Sequence, residues 1–356
     1  MPRPSVCIKV SKSQGEKIIM LATKFGLLDK SLVIQREDAS LCIPLLREAQ
    51  GIELATLKSQ IPSFKLFTAV FSEKQLPPET LTQALQGKLP PDLLDKIPQA
   101  FDIIGDIIVI DIPPQLKPYQ NIIGEAILEK QKNVVAVLGK AGDISGVFRV
   151  RDYDYIAGEH KTKTIHREFG CQYHVDIAKA YFSPRLSHEH ERVAALVQGG
   201  ETVVDLFAGV GPFSVLIGKR NPKAKVYAVD LNPDAFELLT VNVGVNKVEN
   251  HVFPILADAR EIAATKLKNV ADRVIMNLPE TAIDFIDAAC NAMKLQGGVV
   301  HFYGFVRSPD TIENLMQHFS ELVEKNGRKV EVFLYSKSIR ETAPFESQVV
   351  LDARIV

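Results

Sequence analysis

At 356 residues the chain exceeds one typical domain, so two or three are expected, and a formal net charge of −1 argues against a protein that coats polyanions over its whole surface. With 46% apolar and 24% charged residues it has the composition of a soluble globular protein, and no apolar run approaches the ~20 residues of a membrane helix. Cys7, Cys42, Cys171 and Cys290 are scattered without a C-x-x-C pair or zinc spacing, and polar residues interrupt the N-terminus, so a cytoplasmic protein with no disulfide framework, no metal site and no signal peptide is expected.

Residues 5–10 alternate as a strand, and 14–25 read as an amphipathic helix with Ile18, Leu21, Ala22 and Phe25 on one face, stopped by Gly26. Residues 32–35 and 41–45 read as short strands of a small α+β unit ending near residue 71. This unit is basic: seven Lys or Arg within residues 1–36 stand against Glu16 and Asp29, a local +5 that leaves −6 for the remainder. From 72 to 98, Pro77-Pro78, Pro90-Pro91 and Pro98 punctuate short helical pieces such as 80–86, the composition of a linker or embellished edge.

The run FDIIGDIIVIDI at 101–112 is strongly β-prone, with a turn at Gly105-Asp106. Residues 118–132 read as a helix and 134–138 as a buried strand. Residues 146–151 alternate as an edge strand with Arg149 and Arg151 on one face, 162–170 read as strand and turn, and 173–177 as a further strand. From Tyr181 onward strands at 202–207, 225–230, 252–257, 272–277 and 298–303 alternate with helical patterns at 212–219, 233–243, 260–266 and 281–293. A helix at 310–326 and strands at 329–336 and 347–355 follow. Such alternation implies a mostly parallel, doubly wound sheet. The expected organisation is a basic α+β domain over 1–71, an α/β linker and middle domain over 72–180, and an α/β domain over 181–356.

The most informative stretch is Val203-Val204-Asp205-Leu206-Phe207-Ala208-Gly209-Val210-Gly211-Pro212: a buried strand, a glycine turn, and a helix with Pro212 at its first position. Asp205, Asp230, Asp258 and Asn277 stand at the ends of successive strands, where an open α/β sheet binds its ligand. Each Asp alone is more often a helix cap; their joint placement is the signal. Asp230 suits a pair of ribose hydroxyls, and Asp258 an adenine amino group. A dinucleotide fingerprint wants a third glycine, but Ser214 stands in its place, and a carboxylate beside the turn would repel a pyrophosphate. A cofactor bearing an ammonium group tolerates that acid. D-x-F-x-G-x-G at 205–211 resembles the first motif of the Rossmann-like S-adenosylmethionine methyltransferases, and Asn277-Leu278-Pro279 resembles their N/D-P-P-Y/F motif for base nitrogens.

Upstream, Tyr181-Phe182-Ser183-Pro184-Arg185-Leu186, Glu189 three residues beyond it, DLFAGVGPFS, Asp230-Leu231-Asn232-Pro233 and RVIMNLP all resemble, in order, the archaeal and eukaryotic tRNA guanine-37 N1-methyltransferases. GVFRVRDYDYIAGEHKTKTIHREFG and the opening KVSKSQGEKI are also similar, so the resemblance covers nearly the whole chain. It implies a Rossmann-like class I methyltransferase domain preceded by two smaller α+β domains, acting on tRNA; nothing in the sequence demands a protein partner, so a monomer is expected. It also implies that the first domain binds the tRNA elbow. Glu189 matches the family's general base and Arg149 the residue that stabilises O6. Asn277 would fix the guanine edge, and Tyr181 would pack beside the base or the methionine moiety. S-adenosylmethionine would be held by Asp205, Phe207, Gly209, Gly211, Asp230, Leu231, Asp258, Ala259, Asn277, Pro279 and His190, the last departing from the family's usual Arg. Substrate contacts fall to Arg149, Tyr181, Pro184 and Arg185. Two other functions fit related sequences: methyl or aminocarboxypropyl transfer to a wyosine-precursor base at the same position, and non-catalytic tRNA binding. Retention of the proposed base, arginine and cofactor acids together argues against the latter.

Overall fold

The computed structural model describes residues 2–37, 39–74, 80–142, 146 and 148–356. They form two compact units, one running to Ala84 and one from Leu85 to Val356. In the first, β1 (Arg3–Ser11), α1 (Gly15–Lys24), β2 (Gln35–Arg36), β3 (Ser40–Leu45), α2 (Gly51–Gln60) and β4 (Lys65–Phe71) build an antiparallel sheet in the order β2-β3-β1-β4. Ile18, Leu21 and Ala22 of α1 are buried in one cluster with Ile8, Val10 and Ile43, as the apolar face of the sequence predicts. The strand expected at 32–35 is shorter: Leu32 makes an isolated bridge to Glu73, and only Gln35 and Arg36 pair as a strand. Helix α2 carries a reciprocal cap in which Gln50 bonds the backbone of Glu53 and the Glu53 side chain bonds the backbone of Gln50.

Short helices α3 (Leu81–Leu85) and α4 (Pro91–Leu94) follow; Pro77-Pro78 lies outside the described residues. β5 (Phe101–Ile104) and β6 (Ile107–Ile110) form the hairpin expected around Gly105-Asp106. Helix α5 (Gln120–Lys130) then crosses to β7 (Ala136–Lys140), parallel to β6, and β8 (Tyr153–Gly158) pairs antiparallel with β7. The edge strand expected at 146–151 is not formed by its described residues; Val147 lies outside them. Arg149 instead closes a turn, its N–H bonding Gly146 O at 3.1 Å with φ of 53°, so Arg149 and Arg151 do not share a strand face. β9 (Lys163–Glu168) and β10 (Cys171–Asp176) form a two-stranded ribbon.

The rest is a three-layer α/β sandwich made of α6 (Ser187–Leu196), β11 (Thr202–Asp205), α7 (Pro212–Arg220), β12 (Lys225–Asp230), α8 (Pro233–Val245), β13 (Val252–Leu256), α9 (Ala259–Ala264), β14 (Arg273–Met276), α10 (Ile286–Ala292), β15 (Gly298–Arg307), α11 (Ile312–Lys325), β16 (Val330–Ala343) and β17 (Glu346–Ile355). The strand order is β13-β12-β11-β14-β15-β17-β16; the first five are parallel and β17 runs against both neighbours. Successive residues of β11 face opposite sides: Val203 joins one buried cluster with Phe213 and Leu239, and Val204 the other with Met276 and Phe302. Order reverses at β11, with β12 and β13 on one side and β14 and β15 on the other, so a crevice opens at its carboxyl end. The β9–β10 ribbon is fastened to this sandwich by α8. Asn242 accepts from His174 N at 2.6 Å and donates to His174 O, while Asn246 accepts from Gln172 N and donates to Gln172 O.

Candidate active site

The carboxyl ends of β11, β12 and β14 converge on a cleft of about 160 Å³. From the sandwich it is lined by His190, Phe207, Gly209, Asp230, Leu231, Asp258, Ala259, Asn277 and Pro279, and from the preceding segments by Arg149 and Tyr181. Gly209 (φ 55°) turns its open side to the cleft, where a Cβ would meet only Tyr181 O at 3.6 Å. Gly211 (φ 90°) caps α7 behind it, and a Cβ there would lie 2.4 Å from Leu239 Cδ1. Asp230 fixes this turn: its Oδ2 accepts from Gly209 N at 2.6 Å and its Oδ1 from Asn232 N at 2.9 Å. Burial raises the Asp230 pKa, and those backbone N–H groups oppose the rise. Asp258 caps α9, its Oδ1 accepting from Arg260 N and Glu261 N.

Asp205 and Gly211 do not line the cleft but stand behind the turn. Asp205 Oδ2 accepts from Ser214 Oγ at 2.7 Å and the Phe207 backbone N–H also acts on the carboxyl, while Oδ1 is buried with no well-formed hydrogen bond among the described residues. Burial pushes the Asp205 carboxyl up to about 7; the Ser214 hydroxyl opposes this and the Asp230 charge adds to it. Asn277 Oδ1 is likewise buried without a partner, and its residue forms part of the cleft wall. An unpaired acceptor together with the two strand-end acids suits a ligand rich in donors, such as ribose hydroxyls, an amino group or an ammonium. His190 is the one cation-capable neighbour from α6: its Nδ1 lies 2.7 Å from Glu168 Oε1. Burial would raise the Glu168 carboxyl, but His166 and His190 together hold it down to about 2.

A second cleft, of about 270 Å³, shares Arg149, Tyr181, Phe182, Ser183 and Pro279 with the first. Its charged lining comprises Lys140, Arg149, Arg151, Arg185 and Arg340 facing Asp102, Glu280, Glu341 and Glu346. Arg149 forks onto Glu280, with Nη1–Oε2 at 2.7 Å and Nη2–Oε1 at 3.0 Å, and its guanidinium lies 5.8 Å from the Tyr181 ring centroid. Arg185 pairs with Asp102. Burial, then the charge of Arg151, lowers the Lys140 pKa. Pro184 lines neither cleft and starts the 3-10 turn that leads into α6. Glu189 also lines neither. Its carboxylate is buried beneath α6, accepting from Arg192 and from Tyr303 Oη, while the adjacent His190 and Leu186 form cleft wall. Glu280 and Arg340 were not anticipated from sequence. Glu280 directly follows Asn-Leu-Pro, a signal that was available; Arg340 lies on β16, far from any motif.

Over 351 residues, 99% of each chain, the sequence is 40% identical to tRNA (guanine(37)-N(1))-methyltransferase Trm5b of Pyrococcus abyssi. Residues 164–333 match the TRM5/TYW2 methyltransferase domain. The chain belongs to the TRM5/TYW2 methyltransferase family. Its residues 81–162 match the TYW2 N-terminal domain and 7–53 the tRNA methyltransferase 5 N-terminal domain. The solved complex of aTrm5 with tRNALeu is similar at a TM-score of 0.75, with 33% identity over 99% of this chain and 100% of that one. M. jannaschii TYW2, solved in complex with AdoMet, is similar at a TM-score of 0.56, with 29% identity over 72% of this chain and 99% of that one. Among the described residues no helix is long and apolar enough to cross a membrane.

Proposed function

We propose that the protein transfers a methyl group from S-adenosylmethionine to N1 of guanine-37 in the tRNA anticodon loop. The observation that carries this reading is the wall shared by the two clefts. On one side strand-end acids and an unpaired amide oxygen suit the nucleoside and ammonium of the donor; on the other, basic side chains suit an RNA segment. S-adenosylmethionine supplies an electrophilic methyl group on a sulfonium. The chain must remove the N1 proton, neutralise charge at O6 and hold N1 in line with the methyl carbon. In this reading Glu189 takes the proton. Arg149, with two of its five donors committed to Glu280, has donors left for O6. Asn277 holds the guanine edge or the cofactor, Tyr181 packs on the base, and Arg185 exchanges Asp102 for a phosphate. The base leaves its stack to enter the cleft.

Residues 1–71 serve as the elbow-binding module, reading tRNA shape as part of a monomeric enzyme. The full-length similarity to Trm5b and the match at 7–53 support guanine-37 over a wyosine-precursor base. The test is methyl transfer to tRNA transcripts carrying guanine or adenine at position 37, followed by mass spectrometry of the nucleosides. Formation of 1-methylguanosine only with guanine is expected; equal transfer to both, or to neither, refutes it.

A further inference from the structure

Behind Glu189, beneath α6, runs a buried ladder of charged and polar side chains whose other members have no role in the reaction as described. Glu189 Oε2 accepts from Tyr303 Oη at 2.9 Å, from Arg192 Nη2 at 2.9 Å and from Arg192 Nε at 3.0 Å; Oε1 receives only a longer contact from Arg192 Nε, at 3.1 Å. Arg192 is shared: its Nη1 and Nη2 also bond Asp352 on β17, at 2.5 and 3.2 Å, and the Tyr335 ring of β16 covers it at 4.5 Å. Asp352 meets His301 Nδ1 at 2.8 Å, and His301 Nε2 meets Arg273 Nη1 at 3.1 Å, with Arg273 held in turn by Glu201. A guanidinium only donates, so His301 Nε2 accepts and its Nδ1–H donates to Asp352. The imidazole links the Asp352 and Arg273 ends of the ladder. Two carboxylates thus share one guanidinium beneath α6, and Tyr303, fully buried, supplies the remaining donor. Glu168 belongs to a separate cluster, with His190 Nδ1 at 2.7 Å and His166 Nε2 at 3.8 Å.

We propose that Tyr303 and Arg192 are positioning residues: three of their four contacts fall on Oε2 of Glu189, and Oε1, with Arg192 Nε at 3.1 Å as its partner, is the atom that takes the N1 proton. This rests on Glu189 being the base. In the step, the N1–H bond breaks as the proton passes to Oε1. The N1 electron pair forms the bond to the methyl carbon, and the carbon–sulfur pair stays on sulfur. Tyr303 keeps its proton throughout, because burial and the neighbouring Glu189 charge raise its pKa well above the usual phenol value. Its hydroxyl is a donor to the carboxylate that Phe would remove, and Asp352 competes with that carboxylate for Arg192.

The test is the pH dependence of kcat for the full-length enzyme with S-adenosylmethionine and a guanine-37 transcript, alongside calorimetric cofactor affinity. Y303F is expected to keep cofactor affinity within about twofold, to lose roughly tenfold in kcat, and to move the acid limb of the profile up by about one pH unit. D352N, which leaves Arg192 wholly to Glu189, is expected to move that limb the other way. A damaged fold does not produce opposite shifts, and D352N tests the idea even if Y303F does not fold. An unmoved limb in either variant, with E189Q inactive, overturns the positioning roles. An E189Q enzyme with undiminished turnover instead overturns the base assignment on which they stand.

Discussion

Asp205 offers a quantitative test of how the sandwich is held at its switch point. The residue is 1% exposed, its carboxyl is held by the Ser214 hydroxyl and the Phe207 backbone N–H, and it is pushed up to about 7 from an ordinary value of 3.8. The folded value lies above the unfolded one, so as pH rises the unfolded chain loses this proton first. Stability from this group is therefore fully present below about pH 4 and is lost as pH rises to about 7. At 1.36 kcal/mol per unit, the gap corresponds to about 4 kcal/mol. Asp205→Asn keeps an acceptor for Ser214 and removes the titration. Urea unfolding of wild type and variant from pH 4.5 to 8.5, followed by far-UV circular dichroism, gives the difference directly. Glu168 and Asp352 are both held near 2 and stay ionised across this window, so they do not contribute to the slope. The expected difference moves in favour of the variant by roughly 1 kcal/mol per pH unit up to about pH 7, then levels off. A difference independent of pH refutes the argument.

Three further outcomes follow from single contacts. Asn242→Ala strips partners from the His174 N–H and C=O and from Val210 O, and is expected to cost about 3 kcal/mol, read as a Tm lower by roughly 5–10 °C. Gly211→Ala must place a side chain at φ of 90° and 2.4 Å from Leu239 Cδ1; a loss of about 2 kcal/mol in stability together with weaker S-adenosylmethionine binding by calorimetry is expected. Glu280→Gln frees Arg149 from a half-exposed pair, so stability should change by no more than about 0.5 kcal/mol while the KM for tRNA falls in steady-state assays. A rising KM would count against Arg149 as a substrate contact.

How much was legible depended on how local the signal was. The parallel strands announced themselves as β-branched runs because both faces are covered, as Val203 and Val204 illustrate. The glycine turn and the acids that follow it are motif-bound, so the position of the cleft was readable. Helix α2 escaped because only Leu57 of its ten residues is buried, leaving a weak apolar stripe; the Gln50–Glu53 cap was the available sign. β16 runs to Ala343 rather than 336 because it is an exposed edge with four register shifts against β17, which blur alternation. Residues 146–151 alternate on paper, but Gly146 (φ 71°) and Arg149 turn the chain out of a strand. The ladder under Glu189 was invisible for another reason. Its partners stand 114 and 160 residues apart, and only the fold brings them together.

The charges also bear on where tRNA affinity arises. Among the described lining residues of the second cleft, five cations face four acids, and the Arg149–Glu280 and Arg185–Asp102 pairs already satisfy two of those cations. A phosphate entering there replaces a carboxylate that it displaces, so little net counterion is released. Residues 1–36, by contrast, hold seven Lys or Arg against two acids. Since the slope of log affinity against log salt tracks the number of phosphates neutralised, most of it should originate in the N-terminal unit. An isolated anticodon stem-loop is therefore expected to bind weakly with a shallow slope. Whole tRNA should show a slope steeper by about 2 or more, and reversing Lys17 and Lys24 to Glu should flatten it without changing the slope for the stem-loop. Fluorescence anisotropy from 50 to 300 mM salt reads both. Equal slopes for the two RNAs would place the electrostatic affinity in the catalytic cleft and refute the assignment of tRNA-shape reading to the N-terminal unit.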